Sequence, residues 1–130
     1  MPTSSVPLPS GSQPPAIDSQ VIENLRALDD GGDEFLREVI GVFRAESPSR
    51  LAAIRRAASG RAPRELVNVA HALKGSARTL GLVMLAGVCQ EIESLAKSGE
   101  CPAEDLLRRL DGAYAGVTPA LAGVGVREAD

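Results

Sequence analysis

From Asp18 to Tyr114 apolar residues recur every three or four positions, and no run of period two competes with them. A stripe of that period buries one face of a helix and leaves the other in water, so the chain reads as amphipathic helices joined by short turns. Aromatic residues agree by their scarcity. They make up 2% of the chain, as Phe35, Phe43 and Tyr114. A core of Leu, Val, Ile and Ala suits packed helices better than a β-sandwich, whose strands favour aromatic and β-branched side chains. At 130 residues the chain is one domain, long enough to bury a core without staples.

Glycine and proline punctuate the stripe. Residues 1–16 are rich in Pro, Ser and Gly and hold no charged side chain, which predicts a flexible tail. Asp18 then caps a helix carrying Val21, Ile22, Leu25 and Leu28, which Gly31 and Gly32 end. Asp33 is placed to cap a second helix over about 34–45, with Phe35, Leu36, Val39, Ile40 and Phe43 on its stripe. Ser47-Pro48 reads as a stop and restart, Ser as cap and Pro as first helical residue. A third helix carries Leu51, Ile54 and Ala58 to near Gly60 and can pack with the second as one bent unit. The fourth runs from about Pro63 to Gly81, a left-handed C-cap, and the fifth from Leu82 to about Lys97. Pro102 opens the last helix, with Leu106, Leu107, Leu110 and Tyr114, and Pro119 should bend or shorten it. The expected fold is all-α: an up-and-down antiparallel four-helix bundle with an additional N-terminal helix over residues 17–126, then a tail at 127–130.

Charge and cysteine usage exclude several functions. A net charge of -3 and a pI near 5.2 create no basic field for nucleic acid or an anionic membrane, and three aromatic residues offer little for base stacking. Cys89 and Cys101 make no disulfide framework, and a single histidine without a CxxC motif makes no metal site. The start has no charged region followed by an apolar run, and no stretch nears the roughly 20 apolar residues that span a bilayer. A cytoplasmic monomer is expected, and the uncharged start and short acidic end favour a free-standing protein over a piece of a larger one.

The chemistry concentrates on the fourth helix. At about 100° per residue, Leu66, Val69, Ala70, Leu73, Ala77 and Leu80 share one stripe. Arg64, Asn68, His71, Gly75 and Arg78 gather on the opposite side, with Val67 and Lys74 on a flank. His71, the only histidine, therefore projects away from the core. Gly75, one turn on, leaves space beside it for a phosphoryl group or a partner's surface. Lys74 and Arg78 offer charge-assisted hydrogen bonds to an anion in that space. Glu93 lies at the margin of the fifth helix's stripe. If the two helices fold back on each other around Gly81, it comes level with His71 and could accept the Nδ1–H bond, leaving the Nε2 lone pair outward as nucleophile.

The run Ala70, His71, Ala72, Leu73, Lys74, Gly75, with Gly81 beyond it, resembles the histidine-containing phosphotransfer (HPt) domain of bacterial multistep phosphorelays. The segments 35–57 and 85–99 look like that family's lead-in helix and following helix, so the likeness spans about residues 17–115. It implies reversible phosphorylation of His71, with aspartates of response-regulator receiver domains, or a hybrid histidine kinase, as donors and acceptors. It implies that Lys74 steadies the phosphate, that Gly75 opens the approach, and that Glu93 stands where the family often has Gln. Arg64, Val67, Asn68, Lys74, Gly75 and Arg78 would form the docking face. Such a domain has no ATP-dependent kinase chemistry and binds no cofactor; the Mg²⁺ belongs to the partner receiver.

Other readings exist beside it. His71 can be a solvated surface residue, and Lys74, Arg78 and Glu93 ordinary helix charges. A histidine-kinase dimerisation domain also bears a phosphorylatable histidine, but its motif continues with an acidic residue and a nearby proline. Here Ala72 follows, and no proline occurs between Pro63 and Pro102. A helical scaffold or inhibitor that binds receiver or kinase domains without carrying phosphate is the remaining alternative.

Overall fold

A computed structural model describes residues 17–122. The expected tails at 1–16 and 127–130, and the last stretch of the expected bundle at 123–126, lie outside the described residues. The described elements are α1 (Ser19–Ala27), α2 (Glu34–Ser59), α3 (Pro63–Thr79), α4 (Val83–Lys97), α5 (Glu104–Ala115) and α6 (Val117–Ala122), with no strand among them. Helices α2 to α5 form the four-helix bundle, and α1 is the additional N-terminal helix. Its core is aliphatic: Leu36, Ile40, Ile54, Leu66, Leu73, Leu80, Leu85, Ile92 and Leu110 are essentially inaccessible to solvent. None of the described helices is long and apolar enough to cross a membrane.

The pair α3 and α4 packs most extensively. A Schellman turn joins them. Leu82 N–H donates to Ala77 C=O at 2.8 Å and Gly81 N–H to Arg78 C=O at 3.0 Å, with Gly81 at φ +69°. Gly81 is also where α1 docks: Asp18 N–H donates to Gly81 C=O at 2.7 Å, and a Cβ on Gly81 would sit 2.9 Å from Asp18 O. Glycine is thus required there twice over, by its backbone angle and by the close approach. Between α2 and α5 the bundle is closed by Phe43 against Tyr114, ring centroids 6.2 Å apart, and by Ser47 Oγ hydrogen-bonded to Tyr114 Oη at 2.8 Å.

Ser47-Pro48 does not interrupt the chain: α2 is a single 26-residue helix through Pro48. Leu36, Ile40, Phe43, Ser47, Ile54 and Ala57 are all buried, so the stripe crosses the proline without a change of phase. Packing of that unbroken stripe outweighs the roughly 3 kcal/mol that an interior proline costs. The Ser47 hydroxyl, needed by a cap, is occupied by Tyr114, while Pro48 itself is exposed.

Smaller departures have local causes. Asp33 makes no cap hydrogen bond; its carboxylate accepts from Arg26 Nε at 2.7 Å, and Asp29 accepts from the Phe35 amide at 3.1 Å instead. Because α1 stops at Ala27, Leu28 lies beyond its stripe and is exposed, and Phe35 is only partly covered. The last helix breaks at Gly116, three residues before Pro119, which then occupies the first turn of α6, where its missing N–H costs no hydrogen bond.

Candidate functional site

The bundle sets α3 and α4 antiparallel. His71 meets Glu93, and three residues further along α3 Lys74 meets Gln90, three residues back along α4. His71 projects from α3 with its side chain 66% exposed. Its Nδ1 lies 3.1 Å from Glu93 Oε2. Glu93 itself is buried, with 3% of its side chain accessible.

Three groups compensate that buried carboxylate. Lys74 Nζ stands 2.6 Å from Oε1, an ion pair outside hydrogen-bond angles, and Lys97 Nζ stands 3.2 Å from Oε2. The His71 ring shares Oε2 with Lys97. Together they hold the Glu93 carboxyl down to about 2; contact with the Lys74 ammonium is the largest cause, burial opposes it, and Lys97 and His71 add to the lowering. Glu93 is therefore ionised at neutral pH and can only accept a hydrogen bond. When the imidazole is neutral its proton belongs on Nδ1, and the Nε2 lone pair is turned to solvent.

The depressed carboxyl makes a stability prediction. A group whose folded pKa lies below its unfolded value of about 4.5 stabilises the fold above that value and loses the contribution as pH falls toward about 2. The shift corresponds to about 3 kcal/mol at neutral pH. Urea unfolding of the wild type should lose that amount between about pH 4.5 and 2, and Glu93→Gln should show a flatter profile over the same window. Equal slopes in both proteins would remove Glu93 as the cause.

Lys74 requires a correction. The sequence places it as an exposed cation on the docking face, but the structure turns it inward, with 9% of its side chain accessible. Besides Glu93, Nζ donates to Gln90 Oε1 at 2.9 Å. A long side chain on the flank of α3 can reach either solvent or α4, and the buried carboxylate decides the direction. Lys74 is thus committed to the carboxylate behind His71 and is not on the surface. Lys97 went unnoticed in the sequence. Its spacing of four residues after Glu93 is the signal that could have found it.

Arg64, Asn68, Gly75 and Arg78 are exposed on the His71 face, and Val67 is half-buried beside them. A Cβ on Gly75 would meet nothing within 4 Å, so its bareness serves no packing contact. Cys89, buried near Glu93, is no rival nucleophile. Burial, opposed by Lys74, pushes its thiol up to about 12. Among the described residues no group of three His, Cys, Asp or Glu side chains is placed to hold a metal ion.

Comparison with known proteins places this geometry in context. The model of the Hpt domain matches residues 38–118. The phosphorelay intermediate protein YPD1 of Saccharomyces cerevisiae is 31% identical over 81 residues, covering 62% of this chain and 48% of that protein. The chain therefore spans about half the length of this curated relative. The crystal structure of histidine-containing phosphotransfer protein B (HptB) from Pseudomonas aeruginosa PAO1 superimposes with a TM-score of 0.70 at 29% identity, covering 78% of this chain and 86% of that one.

Proposed function

The chain belongs to the Hpt domain family, and on that premise we propose that it is a phosphorelay intermediate that accepts a phosphoryl group on His71 from a receiver-domain aspartate and passes it to another receiver. Hpt proteins are phosphotransfer intermediates rather than kinases. The observation that carries the reading is the exposed imidazole whose Nδ1 is held by a buried, ionised carboxylate.

In the transfer, the Nε2 lone pair attacks phosphorus, the Nε2–P bond forms, and the P–O bond to the aspartyl carboxylate breaks. The proton stays on Nδ1, so the ring becomes cationic and the Glu93 carboxylate faces that charge. No external base is needed. Return to a second aspartate reverses the bonds. Lys97, 63% exposed and tied only by a four-residue-spaced ion pair, can leave Glu93 for the phosphoryl oxygens, whereas Lys74 cannot move without uncovering a buried charge. Gly75 leaves the approach open, and Arg64, Val67, Asn68 and Arg78 meet the receiver. On this reading the chain works as a cytoplasmic monomer, has no ATP-dependent activity and binds no cofactor, the Mg²⁺ being held by the receiver.

Incubation with a phosphorylated receiver and Mg²⁺, followed by a mobility-shift gel, tests the proposal. Acid-labile, base-stable phosphate on the chain is expected. No label from any receiver of the source organism would favour a scaffold that binds without carrying phosphate. Gly75→Gln adds a steric test. The substitution should raise helix stability by about 0.5–1 kcal/mol, because an open interior glycine is replaced. It should slow receiver transfer about 100-fold, as misplacing the reacting groups does. A fall in thermal stability equal to the loss of transfer would make Gly75 structural.

A further inference from the structure

The face that carries His71 runs past Gly75 to Arg78, where a groove of about 410 Å³ opens between the start of α1, the α3–α4 turn and α4. Arg78 borders it on α3, Gly87 and Gln90 border it on α4, and Val83 lines it together with Asp18 and Val21 from the start of α1. The helix register that pairs Lys74 with Gln90 sets Gly87 level with Ala77, between Gly75 and Arg78. Gly75 and Gly87 are both exposed, and a Cβ on either would meet nothing within 4 Å. Each weakens its helix and neither fills a contact; Gly87 keeps the α4 rim of the groove low, and Gly75 leaves the face between His71 and the groove open. Arg78 is exposed and has no ion-pair partner among the described residues.

Distance joins the groove to His71. A transient interface at the low end of the size range covers roughly 600 Å² per partner, a disc about 14 Å in radius. Arg78 is seven residues from His71 and nearly in line with it, about 10 Å along the helix axis. A receiver centred on His71 therefore covers Arg78 and the rim of the groove that it forms. The Arg78 guanidinium at that rim, unpaired among the described residues, favours a carboxylate on whatever surface covers it.

We propose that this groove is a specificity element of the receiver interface, seating an apolar side chain of the receiver while Arg78 pairs with a carboxylate beside it. The assignment rests on His71 being the phosphoryl acceptor. Gly87 is then a docking determinant on a helix that the sequence motif does not include.

Gly87→Gln fills the groove without touching the histidine. Gly112→Gln is its control, because Gly112 is equally open but lies on α5, diagonal to α3 in the bundle. Each full-length variant is labelled two ways: by phosphoramidate, a donor too small to need docking, and by the receiver that transfers fastest to the wild type. Gly87→Gln should keep phosphoramidate labelling at the wild-type rate and lose about ten-fold or more in kcat/KM for the receiver. Gly112→Gln should change neither. Undiminished receiver transfer by Gly87→Gln, or an equal loss in the control, overturns the groove assignment alone. A wild-type chain that no receiver labels overturns the function reading and the groove with it.

Discussion

His71→Gln is expected to abolish phosphoryl acceptance while leaving the fold unharmed. The imidazole is the one nucleophile the site presents. Cys89 is buried with its thiol pushed up to about 12, and no other histidine exists. Loss should therefore be complete to the detection limit, not a partial slowing. Stability should change by less than about 0.5 kcal/mol, because the side chain is 66% exposed and its contact with Glu93 is one of three that the carboxylate receives. The glutamine amide can donate to the same oxygen. Thermal melting and labelling, measured on one preparation, check both halves. Residual label in His71→Gln would mean that another residue carries the phosphate.

Lys74→Met should do the opposite, damaging stability more than surface recognition. It removes the nearest cation from a carboxylate with 3% of its side chain accessible. Breaking a buried ion pair from one side costs about 3–5 kcal/mol, and Lys97 at 3.2 Å offsets part of that, so a loss of about 3 kcal/mol is expected. For a domain of this size that is a fall in Tm of roughly 10 °C or more. Lys74→Met combined with Glu93→Leu should recover most of the stability, since apolar replacement of a whole buried pair is often neutral. Transfer should not recover, because His71 Nδ1 has then lost its acceptor. If the double variant transferred phosphate at the wild-type rate, Glu93 would have no part in positioning the ring. If Lys74→Met melted like the wild type, the lysine would be an ordinary surface charge.

The contrast between these two residues shows what a linear sequence carries. His71 stands opposite Leu66, Ala70, Leu73 and Ala77, so its exposure follows from helix angles alone. Its height relative to Glu93 follows from counting outward from Gly81, whose left-handed turn fixes where α3 ends and α4 begins. Lys74 differs because angles leave it on a flank. Only the tertiary position of Glu93 settles whether the ammonium faces water or the α3–α4 seam. Pro48 was a case of local punctuation overruled by packing. Phe43, Ser47 and Ile54 keep one phase across it, and that phase was a better guide than the Ser-Pro pair. The groove beside Gly87 has no sequence signature of its own, since Arg78 on α3 and Gly87 on α4 come to one rim only through the helix register.

The most direct measurement is the position of the phosphate on the ring. After labelling by a phosphorylated receiver, two-dimensional ¹H–¹⁵N and ³¹P NMR of chain carrying ¹⁵N-histidine distinguish phosphate on Nε2 from phosphate on Nδ1. Phosphate on Nε2 alone, with Nδ1 still protonated, is the expected result, because Glu93 occupies the Nδ1 side. Phosphate on Nδ1, or on any residue other than His71, would contradict the account.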